Sequence, residues 1–343
     1  MPSFGDGILA LCVLWALIGP LVSARIERRL EWFLLALGVA AATSSWSWSL
    51  PLLGEALLRP LKICGALLAG SLFFSFFHER IGSGLRRLGA RLGVRAAVGL
   101  GVLLAGLLAP LITSIVAALL LVEVLRALDL EEERRVDAAV LGAFAVGLGG
   151  SLSPVGGPVA ALVMARLADA PYPTGIFYLL ELGGAWLLPA LVACAALAGL
   201  LARSASAPAA PPPEDPLDLW TILVLAGRTF VFVSGLVLLG AGLAPAADRL
   251  LIGLSAGVLY WFNALAAVVD AATLASLEVT PSLTQDQLRH IVVALALAGG
   301  ALVPGNAPNL VVCRKLGIPS RRWARTGIPA ALLLMSSYFL TLS

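Results

Sequence analysis

Two carboxylates, Asp270 and Glu278, stand in an apolar stretch of the chain. An ionised Asp at the centre of a membrane helix costs about 2.5–3.5 kcal/mol, so burial favours the protonated form unless a cation lies beside it. A carboxylate that holds either a proton or a cation is the minimal group for cation/proton exchange. We therefore expect Asp270 to be the exchanging residue, or else to pair with Arg228, the only basic residue in 217–243. Glu278 lies eight residues later, on the same face if the segment is helical, and is the second proton-coupling candidate.

The same glycine–proline pattern occurs twice, 150 positions apart: 149–158 reads GGSLSPVGGP and 299–308 reads GGALVPGNAP. Proline lacks an N–H and clashes with the preceding helical turn, so each copy predicts a helix break. Inside a membrane, the freed backbone groups must be satisfied by protein, water or a solute. Carboxamides and freed carbonyls are oxygen ligands for a small cation, and glycines let a solute approach the backbone. The predicted contacts at the breaks are Asn306, Asn309, Ser151, Ser153, Gly150 and Gly300. The two asparagines could instead cap the helix that follows.

A short apolar segment precedes each break, and begins at Thr113 in the first copy and at Asn263 in the second. The segments 113–127 and 263–279 are at or below the lower limit of the roughly 17–25 residues that cross a bilayer, which suits re-entrant segments. Thr273, in the second short segment, is a further candidate for ion binding. Glu123 and Glu181 are other carboxylates in apolar segments, and they carry less weight as candidates.

The composition predicts an all-α polytopic membrane protein. Hydrophobic residues make up 60% of the 343 residues and charged residues 13%, and the mean hydropathy is +0.97. About ten transmembrane helices plus the two short segments are expected. The predicted spans are 7–22, 32–50, 57–77, 96–112, 137–168, 172–202, 217–243, 246–262, 287–315 and 320–342. Because no basic residue precedes 7–22, this span is expected to be a retained anchor rather than a signal peptide.

The placement of Lys and Arg predicts the orientation. Basic residues cluster at 25–29, 80–95 and 314–325, while the expected loops near 51–56, 169–171 and 244–248 have none. By the positive-inside rule the basic loops are cytoplasmic and both termini lie outside. This predicts a multi-pass protein of the cell inner membrane.

The repeat divides the chain into four parts: an N-terminal peripheral helix pair (1–56), a first repeat (57–202), a Pro/Ala-rich cytoplasmic linker (203–216) and a second repeat (217–343). Basic residues precede the first repeated element but follow the second break, so the two repeats are expected to be inverted. Inverted repeats place equivalent helix breaks face to face near the membrane midplane. A duplicated bundle without a transport role is the alternative.

Several function classes are disfavoured. Two histidines and four cysteines without metal-type spacing, and the lack of HExxH, GxSxG and nucleotide-loop motifs, argue against an enzyme or an ATP-driven pump. We expect no cofactor and no metal centre, with sodium ions and protons as transported or coupling ions. No nucleic acid partner is expected.

The sequence resembles the ion transporter superfamily, which includes NhaD-type sodium/proton antiporters, arsenite permeases and divalent anion/sodium symporters. The resemblance covers about 57–343, and its most specific parts are 303–310 (VPGNAPNL), 315–318 (KLGI) and 270–274 (DAATL). The stretch 303–310 and the KLGI that follows it at 315–318 are most similar to a subgroup of small prokaryotic proteins labelled as cation transporters. Ala271 stands where such proteins tend to have Asn, and Gly157 where they often have Glu. The resemblance implies an elevator mechanism and a homodimer.

These observations together favour a secondary transporter, with cation (sodium)/proton antiport as the first hypothesis. The alternative is a sodium-coupled carrier of a small anion, such as a dicarboxylate or an oxyanion like arsenite, held by helix N-termini. In either case the expected partners are the small inorganic cation or small anion and membrane lipids.

Overall fold

The computed structural model describes residues 4–23, 26, 29–167, 175–204, 219–251, 253–267 and 271–342. Helices make up 84% of it, and no β-strand occurs in these ranges. The predicted all-α class is therefore confirmed for the described part of the chain. Most of the predicted linker 203–216 lies outside the described residues. Asp270 also lies outside them.

Among the described residues, eight α-helices precede residue 205. They are α1 (Phe4–Val22), α2 (Leu30–Ser44), α3 (Leu50–Leu92), α4 (Val94–Ile112), α5 (Ser114–Ala127), α6 (Glu132–Gly150), α7 (Pro158–Arg166) and α8 (Tyr178–Leu201).

The described residues after 218 form six α-helices and two short 3-10 turns. The helices are α9 (Leu219–Leu251), α10 (Ala256–Phe262), α11 (Ala271–Glu278), α12 (Gln285–Ala298), α13 (Ala307–Leu316) and α14 (Ser320–Leu342), and the turns are Asn263–Ala267 and Val303–Gly305.

Three helices are long and apolar enough to cross a membrane, by length and composition, among the residues described: α4, α8 and the part Ile222–Pro245 of α9. Shorter apolar helices lie at Gly7–Ala16, Leu30–Ser44 and Ala256–Leu265. These apolar helices indicate membrane association.

Two helices run through stretches that the sequence pattern predicts as loops. Helix α3 covers 51–56 and most of 80–95, and α9 continues through 244–248 with Pro245 inside it. The predicted span 246–262 is consequently divided between the end of α9 and α10, which has only seven residues. The loop predictions were wrong because hydropathy marks where a segment leaves the membrane, whereas an α-helix satisfies its own backbone and can continue into water.

Helix α2 packs on α9 through backbone-to-backbone contact. A Cβ atom placed on Gly38 would lie 2.5 Å from the carbonyl oxygen of Gly235, and one on Gly242 would lie 2.5 Å from the carbonyl carbon of Ala41. Glycine is required here because no side chain fits between the two helices.

The two predicted repeats interlock around the helix breaks. Helix α7, which follows the first break, packs against α11 of the second repeat, and α13, which follows the second break, packs against α5 of the first. Each repeat therefore supplies a helix to the short segment of the other.

Candidate functional site

The first predicted break is present, and its hydroxyl groups bind backbone carbonyls. Helix α6 ends at Gly150, and α7 begins at Pro158 in its first turn. Ser151 Oγ donates to Gly147 O at 2.9 Å, and Ser153 Oγ donates to Pro110 O at 2.6 Å. Ser151 Oγ thus satisfies a carbonyl near the end of α6, and Ser153 Oγ satisfies one near the end of α4.

The first break is held against the N-terminus of α5. Thr113, which has a positive φ of 74°, caps α5 by accepting from Val116 N at 3.5 Å. The next residue, Ser114, donates its backbone N–H to Gly156 O at 2.6 Å. A Cβ atom on Gly150 would lie 3.0 Å from Ser114 Cβ, so this glycine permits close packing within the protein.

The second predicted break is also present, and side chains satisfy its freed carbonyls. Helix α12 ends at Ala298, and α13 begins at Ala307 after a 3-10 turn. Asn309 is fully buried and its Nδ2 donates to both Gly299 O and Leu302 O, each at 2.8 Å. The indole Nε1 of buried Trp323 donates to Gly300 O at 3.2 Å. The main-chain oxygens that the sequence suggested as cation ligands are therefore engaged by protein donors.

Trp323 was not among the sequence-predicted residues. It lies on α14, beyond the motif, and only the packing of α14 on the break brings it there. Gly300 itself packs on α6, because a Cβ atom on it would lie 2.3 Å from the Phe144 ring.

Asn306 caps α13, which is the alternative role that the sequence left open. Its Oδ1 accepts from Ala307 N at 2.9 Å. Its Nδ2 lies beside Gly147, where an added Cβ atom would come within 2.8 Å. Asn306 therefore brings the second break against α6, just before the first break.

The segment that begins at Asn263 folds back on itself, so that its two ends meet at a buried carboxylate. Asn263 and Glu278 are 0% and 1% exposed. Asn263 Nδ2 donates to Leu259 O at 2.8 Å and to Glu278 Oε2 at 3.1 Å. The predicted residues Asn263 and Glu278 are therefore brought together, from the start of the first 3-10 turn and the end of α11.

The predicted pairing of Asp270 with Arg228 concerns a residue outside the described ranges. Arg228 Nε lies 3.4 Å from Glu31 Oε1, which links α9 to α2. Among the remaining candidates, Thr273 is buried and its backbone oxygen accepts from Ser276 Oγ at 2.7 Å. Glu123 is partly buried and Glu181 is exposed on α8.

Three carboxyl or carboxamide oxygens are buried and have no hydrogen-bond partner among the residues that the structure describes. They are Asn263 Oδ1, Glu278 Oε1 and Asn309 Oδ1. All three are acceptors, and buried polar atoms in proteins are nearly always paired. Each belongs to a residue whose other polar atom is fixed by hydrogen bonds, so the oxygen cannot turn away without breaking them.

These oxygens lie on neighbouring parts of the fold. The 3-10 turn that begins at Asn263 contacts the 3-10 turn of the second break. Ala271, at the start of α11, lies beside Gly299, whose carbonyl Asn309 binds: a Cβ atom on Gly299 would be 3.6 Å from Ala271 Cβ. A buried carboxylate with an unpaired carboxamide oxygen on its hydrogen-bond partner, as in Glu278 and Asn263, is suited to bind a cation or a proton.

Residues 7–343 match the family described as Protein of unknown function (DUF1646). The chain belongs to this family. The match includes α1 and α2 as well as both predicted repeats, so the N-terminal helix pair is part of the family's common unit. No curated protein matches the chain.

Proposed function

We propose that this member of the DUF1646 family is a multi-pass secondary transporter of the cell inner membrane that exchanges a small cation, with sodium as the first candidate, for protons. Energy then comes from an ion gradient. The two repeats act as inverted halves. Helix α7 of the first repeat packs on α11 of the second, and α13 of the second packs on α5 of the first. This reciprocal packing supports a transport cycle in which the two repeats move together.

The observation that carries the proposal is the group of three unpaired buried oxygens. A buried carboxylate without a partner for one oxygen is costly to ionise, and either a proton or a cation removes that cost. Glu278 can hold a proton on Oε1 in one state. In the other state Oε1 and Asn263 Oδ1 can both face a cation.

Asn263 has a defined part in this exchange. Its Nδ2 holds Glu278 Oε2 in both states, so the carboxylate keeps its position while Oε1 changes partner. Asp270 directly precedes α11 in the sequence, and we retain it as a proposed second carboxylate for the same exchange.

The nature of the unpaired atoms favours a cation over an anion. An anion requires donors, whereas the unpaired carboxyl and carboxamide oxygens accept. The N-termini of α7 and α13 remain the basis of the anion-carrier alternative.

Reconstituted protein tests the proposal. In proteoliposomes with an imposed sodium gradient, a pH-sensitive dye should report proton movement for the wild type. Glu278→Gln, which keeps an acceptor for Asn263 but cannot exchange a proton, should reduce it to the level of empty liposomes. Glu181→Gln, the matched change at an exposed carboxylate, should leave it unchanged. Full activity in Glu278→Gln would remove Glu278 from the mechanism, and full activity in Asp270→Asn would do the same for Asp270.

A thermal-shift screen separates the two substrate classes. Sodium should raise the unfolding temperature of the wild type and should have no effect on Glu278→Gln, since a ligand stabilises only the state that binds it. Stabilisation by dicarboxylates or oxyanions alone would instead support the anion carrier.

A further inference from the structure

A charged cavity of about 290 Å³ lies between the N-terminal turns of α6 and α14, and none of the three residues that carry the buried oxygens lines it. The cavity lies between the two predicted repeats, since α6 belongs to the first and α14 to the second. The residues that line it are Glu133, Arg134, Val136, Asp137, Arg322, Arg325 and Thr326.

One carboxylate of the cavity is fully engaged. Asp137 Oδ2 lies 3.0 Å from Arg134 Nη1, and Asp137 Oδ1 accepts from Thr326 Oγ1 at 2.7 Å. The charges of Arg134 and Asp137 therefore compensate each other, and the hydrogen bond from Thr326 to Asp137 links α14 to α6.

The other two arginines of the cavity are available to a ligand. Arg322 pairs with Glu132, but both side chains are largely exposed, at 49% and 74%. An exposed pair of this kind contributes only about 0–1 kcal/mol, so a stronger anion can replace Glu132. Arg325 lies on the same face one turn later, is exposed, and has no ion pair within the described part of the chain. Glu133 is the one uncompensated carboxylate that opposes them.

We propose that this cavity binds a phosphate group, and that an anionic phospholipid supplies it. Guanidinium groups bind phosphate through paired N–H donors, which suits Arg322 and Arg325. Basic residues beside a membrane helix attract anionic lipid headgroups, and 314–325 is predicted to lie at the cytoplasmic surface. The exposed apolar surface of α14 favours a phospholipid over free phosphate as the source of this group. Ile328 and Leu332 continue the face of Arg325 at helical spacing and are 41% and 53% exposed, so an acyl chain can lie along them.

The test uses the full-length protein in detergent micelles and native mass spectrometry with phosphatidylglycerol or phosphatidylcholine. Phosphatidylglycerol should remain bound and phosphatidylcholine should not. Arg325→Gln should weaken phosphatidylglycerol binding about fivefold, the effect expected of one basic residue at a membrane surface. Glu133→Gln should strengthen it, because the opposing charge is removed.

Arg321→Gln is the matched control, since Arg321 is an exposed neighbour of equal charge that does not line the cavity. It should change binding less than twofold. If Arg321→Gln and Arg325→Gln weakened phosphatidylglycerol binding equally, the lipid would be attracted by the basic surface as a whole. That result would overturn the cavity site. Stabilisation by inorganic phosphate that depends on Arg325 and is not exceeded by phosphatidylglycerol would overturn the lipid assignment. Neither readout depends on ion exchange, so failure here is distinct from failure of the proposed function.

Discussion

Asn309 and Asn306 stand three residues apart at the second break but have different roles. Asn309 uses both hydrogens of its amide on carbonyls that the break frees, Gly299 O and Leu302 O. Asn306 makes a single cap to Ala307 N. The loss of Asn309 therefore leaves Gly299 O without a donor among the described residues and Leu302 O with only the backbone N–H of Gly305. The loss of Asn306 leaves one donor at a helix start.

Asn309→Ala should lower the free energy of unfolding by about 2–3 kcal/mol, because an unpaired buried carbonyl costs about 1–3 kcal/mol and the truncated side chain leaves a cavity. Asn306→Ala, the matched control, should cost about 1 kcal/mol, the usual value for an N-cap. Denaturant unfolding in mixed micelles, followed by tryptophan fluorescence, measures both. Equal costs would contradict the assignment of Asn309 as the residue that holds the break together.

At the residue scale, the sequence predicted which residues are polar in an apolar setting but not what they bind. Asn263, Glu278 and Asn309 could be selected because such residues are rare inside apolar segments. Their partners could not, since a hydrogen bond such as that from Trp323 to Gly300 O depends on how distant helices pack. For the same reason the sequence did not predict that the serines of the first break bind Gly147 O and Pro110 O.

At the element scale, the contact between α4 and α6 is closest at Gly149. A Cβ atom there would lie 1.9 Å from Gly106 O, so the two backbones are in direct contact just before the first break. This contact fixes the end of α6, and with it the position of the break.

Gly149→Ala should destabilise the protein by about 3 kcal/mol, because α4 and α6 must separate to admit the methyl group. Gly227→Ala in α9, where an added Cβ atom meets nothing within 4 Å, should instead stabilise it by about 0.5–1 kcal/mol. The two variants can be compared by thermal unfolding in the same detergent. A neutral Gly149→Ala would show that the helices are not packed this closely.

The helix breaks were predictable from the sequence, and the helix lengths were not. Proline and glycine at 149–158 and 299–308 act locally, so the pattern predicts the breaks wherever the helices pack. The ends of α3 and α9 depend on where each helix stops making its own hydrogen bonds, which hydropathy does not report. Pro245 illustrates this, because it lies inside α9 although the surrounding sequence suggests a loop.

At the scale of the whole molecule, segments predicted to be cytoplasmic meet at one end. Glu131 N donates to Arg203 O at 3.1 Å, beside the linker. Arg322 binds Glu132, and Arg126 donates to Lys315 O. Residues 203–204 and 314–325 were assigned to the same side by charge alone, and their shared location supports that assignment.

Cysteine labelling tests the orientation. In a background with Cys313→Ser, the other cysteines are buried, so a membrane-impermeant maleimide should report only an introduced cysteine. Ser204→Cys should be modified in inside-out vesicles, and Gly175→Cys, beside the predicted external loop, should be modified in intact cells. Both residues are exposed. Modification of both from the same side would contradict the predicted orientation.

The interlocking of the two repeats predicts that they can assemble without a covalent link. The packing of α5 on α13 and of α7 on α11 joins them through the core, whereas the linker between them is predicted to be a tether. Co-expression of 1–210 with 211–343 should therefore give two pieces that copurify and retain sodium-driven proton movement. A cut at 154 should not, because it divides the first break, where Ser153 Oγ and Gly156 O each bind the rest of the repeat. Purification of either piece alone as a folded monomer would show that the repeats are independent domains. The packing between them would then no longer support a mechanism in which both repeats move around one site.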